Sequence, residues 1–255
     1  MEKSMKTLLL DIETAPNKAY VWGLFRQNVA LNQLEASSYT LCWSAVWAGW
    51  SKADLPSHIE FASVQRRGTR KMLKRIHHLL NEADAVVHYN GQKFDIPTLN
   101  KEFVRHGMIP PSPYKQIDLM RVCKQAFRFE SNKLAFVAKA LGLEEKVKHE
   151  GFTLWVKCMN GDPQAWSDME RYNRGDVVTL ADLYERLRPW ITHHPNLSAH
   201  ADVDCCPKCG STEFQGRGKV MTLTLWYRRY QCRKCGGWFR GTKTVSTRKQ
   251  RMVNV

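Results

Sequence analysis

The chain opens on an apolar run, Leu8-Leu9-Leu10, that continues into Asp11-Ile12-Glu13-Thr14 and stops at Pro16 and Asn17. A run this short, closed by turn formers, predicts a buried central strand. Its last positions break the apolar pattern in an ordered way. Asp11 and Glu13 stand two residues apart, and side chains at i and i+2 of a strand share a face. Two carboxylates projected together from a sheet repel each other, and stripping them of water is costly unless a cation lies between them. A divalent metal is one resolution. The other is a strand end whose carboxylates face water.

Further along, Ala15 to Ala36 is a long connection, and the aromatic and apolar stretch Leu41 to Trp50 predicts a second strand. The residues around His58 to Val64 predict a third, paired with it as a hairpin. From Thr69 to Asn81 apolar residues fall at Met72, Ile76, Leu79 and Leu80, the spacing of a helix. Ala85 to Tyr89 then reads as a short buried strand. A second helix starts at Asp95, with Pro97 in the first turn where its missing N–H costs nothing. A third runs from Ser131, its N-cap, to Leu141, with Gly142 as the stop.

The last long helix opens at Ser167, where Glu170 completes a capping box, and ends near Arg188, before Pro189. Its stripe is Met169, Tyr172, Asp176, Leu180, Leu183 and Leu187. Asp176 therefore lies on the face that should be buried, one turn from Tyr172. A buried carboxylate demands a partner, and Asp11 and Glu13 suggest a shared metal. Strands alternating with helices place the chain in the α/β class. No internal repeat or low-complexity tract interrupts them.

Length and composition narrow the picture. At 255 residues and 43% hydrophobic the chain can bury one sizeable core with a small appendage. No apolar run approaches the roughly 20 residues that span a bilayer. The N-terminus lacks a signal-peptide core, since Leu8 to Leu10 is too short and meets Asp11. The expectation is a soluble cytoplasmic protein with no membrane partner. Charge is uneven: of the net +15, Phe214 to Val255 contribute 11 Lys and Arg and no acid. Such a surface suggests a polyanion, most simply nucleic acid, although a solvated basic tail has the same composition.

Three stretches carry candidate chemistry when read together: Asp11-x-Glu13, Asn90-Gly-Gln-Lys-Phe94-Asp95, and Tyr172-x-x-x-Asp176. Their order and residue types resemble the DEDD superfamily of 3′-5′ exonucleases, over roughly residues 5 to 190. The histidine branch of that family needs His where Arg171 stands, so the resemblance is to the tyrosine branch. It implies a ribonuclease H-like mixed five-stranded sheet flanked by helices. It also implies two Mg²⁺ or Mn²⁺ ions held by Asp11, Glu13, Asp95 and Asp176, a choice of oxygen donors that suits hard cations. By the same resemblance Asp11 bridges the ions, Glu13 and Asp176 complete one, Asp95 helps hold the other, and Tyr172 orients the attacking water. A phenol with a pKa near 10 is a poor base. The implied partner is the 3′ end of single-stranded DNA or RNA.

Several neighbours keep two readings. Asn90 is a substrate contact or a turn cap. Trp22 and Phe25 stack on the terminal base or pack in the core. Asp118 is a spare ligand, or else a capping or surface residue. His149 is out of register with the motifs.

The cysteines divide into Cys42, Cys123 and Cys158, read as ordinary buried thiols, and a group of five between Cys205 and Cys235. Cys206-Pro-Lys-Cys209-Gly and Cys232-Arg-Lys-Cys235-Gly are paired knuckles that resemble a zinc ribbon, with one structural Zn²⁺ on four thiolates. Cys205 shifts the register by one, but the Cys-Pro-x-Cys-Gly form favours Cys206. A disulfide pair conflicts with the missing secretion signal. Between the knuckles, Lys219 to Gln231 alternates like a strand, and Trp238 and Phe239 continue the ribbon. Trp226, Tyr227 and Tyr230 among arginines suit a grip on nucleic acid; ribbons also dock proteins. The expected domains are 1–192, a linker 193–204, the ribbon 205–240 and a basic tail 241–255. The whole reads as a metal-dependent 3′-5′ exonuclease. Its alternatives are a structure-specific endonuclease on the same scaffold or a non-catalytic nucleic-acid adaptor.

Overall fold

The computed structural model describes residues 5–143 and 150–246. His149 and the end of the basic tail fall outside them. Its centre is β1 (Thr7–Thr14), the strand that carries Asp11 and Glu13. A short ladder of β2 (Lys18–Ala19) and β3 (Leu34–Ala36) follows, and then β4 (Thr40–Trp47), α1 (Leu55–His58) and β5 (Glu60–Ser63). Next come α2 (Val64–Glu82), β6 (Ala85–His88), α3 (Asp95–Arg105), β7 (Lys115–Asp118) and α4 (Leu119–Ala126). Helices α5 (Leu134–Ala140), α6 (Phe152–Met159) and α7 (Pro163–Leu187) complete this part. The strand order is β5-β4-β1-β6-β7. β4 runs antiparallel to β1 and β5, whereas β6 and β7 run parallel to β1. This is a mixed five-stranded sheet flanked by helices, with the ribonuclease H-like arrangement.

Strand alternation distributes β1 between two cores. Leu8, Leu10 and Ile12 pack with Trp43, Met72, Ile76 and Leu99 on one face, beneath α2 and α3. The other face is closed by Ala15, Leu41 and Cys42 against Leu154, Cys158, Trp166, Met169 and Tyr172 of α6 and α7. The Trp43 indole also donates to the Met72 carbonyl at 3.2 Å, which ties α2 to the sheet. Cys42, Cys123 and Cys158 are free and buried.

Several boundaries differ from the sequence expectation, among them the start of α2 at Val64 and not Thr69. Helix α7 starts at Pro163, not Ser167, because Asp162 Oδ1 accepts from the N–H groups of Gln164 (2.8 Å) and Ala165 (3.2 Å). Glu170 caps nothing and pairs with Arg66 at 2.6 Å. Helix α5 starts at Leu134 after Lys133, while Ser131 accepts the Lys133 N–H at 3.3 Å, in a turn. The run Lys219 to Gln231 is two strands. β8 (Phe214–Met221) and β9 (Trp226–Cys232) form a hairpin, and β10 (Trp238–Thr244) pairs with β9 in a separate three-stranded sheet. The break occurs where the Thr222 and Leu225 backbones close a turn at 2.9 Å, reinforced by the Thr222 hydroxyl.

The chain divides into two compact units, one of Lys6–Tyr184 and another that takes in the chain from Glu185 onward. Among the described residues no helix is long and apolar enough to cross a membrane.

Candidate active site

Because Ile12 turns into the core, Asp11 and Glu13 emerge on the opposite face of β1, toward α6 and α7. On α7 every residue of the Met169 to Leu187 stripe is buried, and Asp176 is 4% exposed. One carboxylate oxygen from each of Asp11, Glu13 and Asp176 lies within 4.8 Å of the others. Three oxygens so close repel one another, and a hard cation between them is the favourable resolution. The donor set fits such an ion.

Neighbouring donors hold the carboxylates in place. The fully buried Asn173 donates its amide to Asp11 Oδ2 at 2.7 Å. The Trp155 indole donates to Glu13 Oε2 at 3.2 Å and meets the Tyr172 ring edge-on, with centroids 5.8 Å apart. Burial pushes the Tyr172 phenol far above its ordinary value, and the charges of Asp176, Glu13 and Asp11 add to this. Tyr172, hydrogen-bonded to Asp176, therefore stays protonated and acts as a donor. Neither Asn173 nor Trp155 was singled out from sequence. Asn173 was legible, since it lies on the α7 stripe three residues before Asp176. Trp155 was not, because nothing in the pattern announced α6.

Asp95 occupies a different position. It begins α3, is 4% exposed, and its Oδ1 accepts the backbone N–H of Ile12 at 3.2 Å. The ladder from β6 to β1 covers only Thr7 to Leu9, so Asp95 satisfies a strand N–H beyond its end. Burial raises the Asp95 carboxyl to about 7; the Ile12 N–H opposes this and the Asp118 charge adds to it. The structure thus gathers three of the four expected carboxylates and anchors the fourth to the backbone between Asp11 and Glu13.

The turn before Asp95 is fixed from below. Asn90 adopts φ 64°, its carbonyl accepts from Lys93 and Phe94 at 3.1 Å, and its N–H donates to Asp118 Oδ1 at 2.9 Å. Buried Asp118 also caps α4 through Met120 and Arg121, so it is a cap and not a surface residue. Fully buried His88 binds Gln116 at 3.1 Å, and its ring lies against Gly91, where a Cβ would come within 2.4 Å of His88 Cγ. Gly91→Ala is accordingly expected to cost about 1–3 kcal/mol through overpacking, measured by urea unfolding. A change under half of that would mean that the turn yields freely.

A family model for the RNase_H superfamily matches residues 48–188, more than half of the chain. The chain belongs to the RNase_H superfamily. The family B DNA polymerase from the hyperthermophilic archaeon Pyrobaculum calidifontis has a similar structure. It gives a TM-score of 0.53 at 15% identity over 90% of this chain and 33% of the polymerase. At that identity the likeness concerns the fold alone. The zinc-bound E. coli ExoI–ssDNA complex aligns with a TM-score of 0.41 and 17% identity, over 73% of this chain and 42% of that one. The chain thus spans about a third of the polymerase and under half of ExoI. No curated protein sequence matches it significantly. The matched segment starts after β1 and β4, and the pairing of β1 with β6 joins the strand of Asp11 and Glu13 to it.

Within this RNase_H superfamily chain, Trp22 and Phe25 are 99% and 88% exposed, which removes core packing as their role. They lie between β2 and β3, whose ends are tied by Tyr20 N–H to the Gln33 carbonyl at 2.9 Å.

Beyond the superfamily match, the Sγ atoms of Cys206, Cys209, Cys232 and Cys235 all lie within 4.8 Å of one another, and Cys205 is not among them. The Cys206–Cys235 and Cys209–Cys232 separations are 3.8 and 3.6 Å. A tetrahedron with metal–sulfur bonds of about 2.3 Å has edges of about 3.8 Å, so the four thiols fit one zinc-sized ion. All eight cysteines are free. Burial would push the Cys232 thiol up, but the N–H groups of Cys235 and Lys234, with the neighbouring thiols, bring it down to about 7.

The strands carried by this centre separate the aromatics. Tyr230 stacks on Phe239 at 5.6 Å, with Phe214 edge-on to both, as a small core. Arg229 lies over Trp238 at 4.9 Å and Arg240 over Tyr227 at 4.0 Å. A cleft of about 480 Å³ opens beside the trio, with Arg228, Lys243 and Ser198 in its wall.

Proposed function

We propose that the chain is a metal-dependent 3′-5′ exonuclease of the tyrosine branch that shortens single-stranded nucleic acid. The observation that carries this reading is the convergence of Asp11, Glu13 and Asp176 beside a protonated Tyr172. Asp11, Glu13, Asp176 and the adjacent Asp95 would hold two Mg²⁺ or Mn²⁺ ions, which when bound supply positive charge at the scissile phosphate and acidify water. Asn173 and Trp155 fix the two β1 carboxylates before substrate arrives, so little reorganisation is left for the reaction. Tyr172, its one O–H given to Asp176, would align the nucleophilic water by accepting a hydrogen bond from it at the phenol oxygen. Trp22 and Phe25 offer bare aromatic faces for the terminal bases, and Asn90 fixes the turn that presents Asp95.

In this reading Cys206, Cys209, Cys232 and Cys235 bind one structural Zn²⁺, and the ribbon holds the strand through Arg228, Lys243 and the aromatic wall of its cleft. The test is digestion of 5′-labelled single-stranded DNA and RNA with Mg²⁺ or Mn²⁺, beside circular single-stranded DNA. A ladder shortening from the 3′ end with the circle left intact is the expected result. Cutting of the circle would establish an endonuclease instead. Tight binding with no cleavage in either metal would make the chain an adaptor.

A further inference from the structure

The C-terminal sixth is not the only concentration of positive charge. Along α2, Arg66, Arg67, Arg70, Lys71, Lys74 and Arg75 precede the sole acid, Glu82. Two of the six are neutralised by other elements: Arg66 by Glu170 at 2.6 Å and Arg75 by Glu60 at 2.8 Å. Arg67, Arg70, Lys71 and Lys74 are exposed and form no ion pair among the described residues. The core fixes this arrangement. Met72, Leu73, Ile76, Leu79 and Leu80 are buried against the sheet, so the helix cannot rotate and Arg70, Lys71 and Lys74 share the outward side. Arg67 is exposed as well and stands just before the non-helical Gly68, where the helix kinks.

Like charges three and four residues apart destabilise a helix by a few tenths of a kcal/mol per pair. Arg70 and Lys74, and Lys71 and Lys74, are such pairs. As charges these residues repel one another, and a polyanion would relieve the repulsion. Ser63, whose hydroxyl caps α2, is paired with Cys42, and Cys42 with Glu13, so α2 starts level with the acidic cluster. It then lies on the sheet face of Leu8, Leu10 and Ile12, opposite the carboxylates, so a strand that joins the row to the cluster passes around the β5 edge.

We infer that Arg67, Arg70, Lys71 and Lys74 form a track for the phosphate backbone of the nucleic acid whose end lies at the carboxylates. This rests on the nuclease reading for the identity of the polyanion. The test is fluorescence anisotropy of a labelled single-stranded oligonucleotide across a salt series, without added Mg²⁺ or Mn²⁺, using the full chain carrying Asp11→Asn. The variant with Arg67→Ala, Arg70→Ala, Lys71→Ala and Lys74→Ala is expected to bind at least about tenfold more weakly at low salt. Its log affinity against log salt should be shallower by about 3, at roughly 0.7 per phosphate contact. A charge-matched control, Lys124→Ala, Arg128→Ala, Lys133→Ala and Lys139→Ala, should keep most of the slope. Thermal unfolding checks that both variants remain folded.

Equal losses in the two variants would overturn the track, because net charge alone would then account for them. So would an unchanged slope, or retained oligonucleotide binding with lost binding to phosphatidylserine vesicles. A track-dependent slope in a chain that cleaves nothing would sink the nuclease reading and leave the track standing.

Discussion

Asp11→Asn is expected to abolish turnover while making the metal-free protein slightly more stable. The two effects have one cause. Asp11, Glu13 and Asp176 crowd their oxygens within 4.8 Å, and removing one charge relieves repulsion on the order of 1 kcal/mol. An asparagine keeps the shape and still offers an oxygen to the Asn173 amide, which holds Asp11 Oδ2 at 2.7 Å. The removed carboxylate is also one of those that would hold the metal ions, whose stabilisation of the transition state is worth several kcal/mol. At 1.36 kcal/mol per decade that is a rate loss of about a thousandfold or more. The wild type should gain about 2.7 kcal/mol of stability at Mn²⁺ concentrations a hundred times its dissociation constant, and the variant should gain far less. Calorimetric unfolding with and without Mn²⁺ reads both signs. A metal-free variant that is markedly destabilised, with its Mn²⁺ response intact, would assign Asp11 a structural role.

Under the proposed zinc assignment, removing the metal is expected to unfold β8 to β10 and spare the sheet around β1. The core of that three-stranded sheet is little more than Phe214, Tyr230 and Phe239. Zinc bound by four thiolates contributes about 10–16 kcal/mol in small zinc domains, as much as the whole stability of an ordinary domain. The Lys6–Tyr184 unit keeps cores on both faces of β1 and needs none of this. Metal analysis should give one zinc per chain, falling to none in Cys209→Ser. In the variant, hydrogen exchange should lose protection in β8 to β10 and keep it in β1 and β4. Protected β8 to β10 amides in a zinc-free chain would refute the structural role.

Much of this was written in short spacings. The i, i+2 pair of Asp11 and Glu13, the i, i+4 pair of Tyr172 and Asp176 and the two Cys-x-x-Cys knuckles are local relations, and strand, helix and turn geometry decide them before the chain folds. The α7 stripe was legible for the same reason, including its one carboxylate. Errors fell where two local signals competed. Ser167 with Glu170 looks like a cap, but the Asp162 carboxylate is already bonded to two free N–H groups at Pro163's turn. The alternation through Lys219 to Gln231 hides a hairpin, because alternation reports a strand and not where it reverses.

Sequence alone determined which faces had to be buried and which residues brought charge or thiolate to them. Only the tertiary structure decided what those faces would meet. Asn173 reaches Asp11 across 162 residues and Trp155 reaches Glu13 across 142. Asp95 settles on the Ile12 N–H, outside the three-carboxylate cluster, because β6 ends early and leaves that donor open. Trp22 and Phe25 stay in water although their composition suits a core. Four cations of α2 form no ion pair among the described residues because the core holds them outward, away from the carboxylates that neutralise Arg66 and Arg75. Periodicity states that a side chain leaves water; the packing of distant segments selects its neighbour, and on that neighbour the chemistry depends.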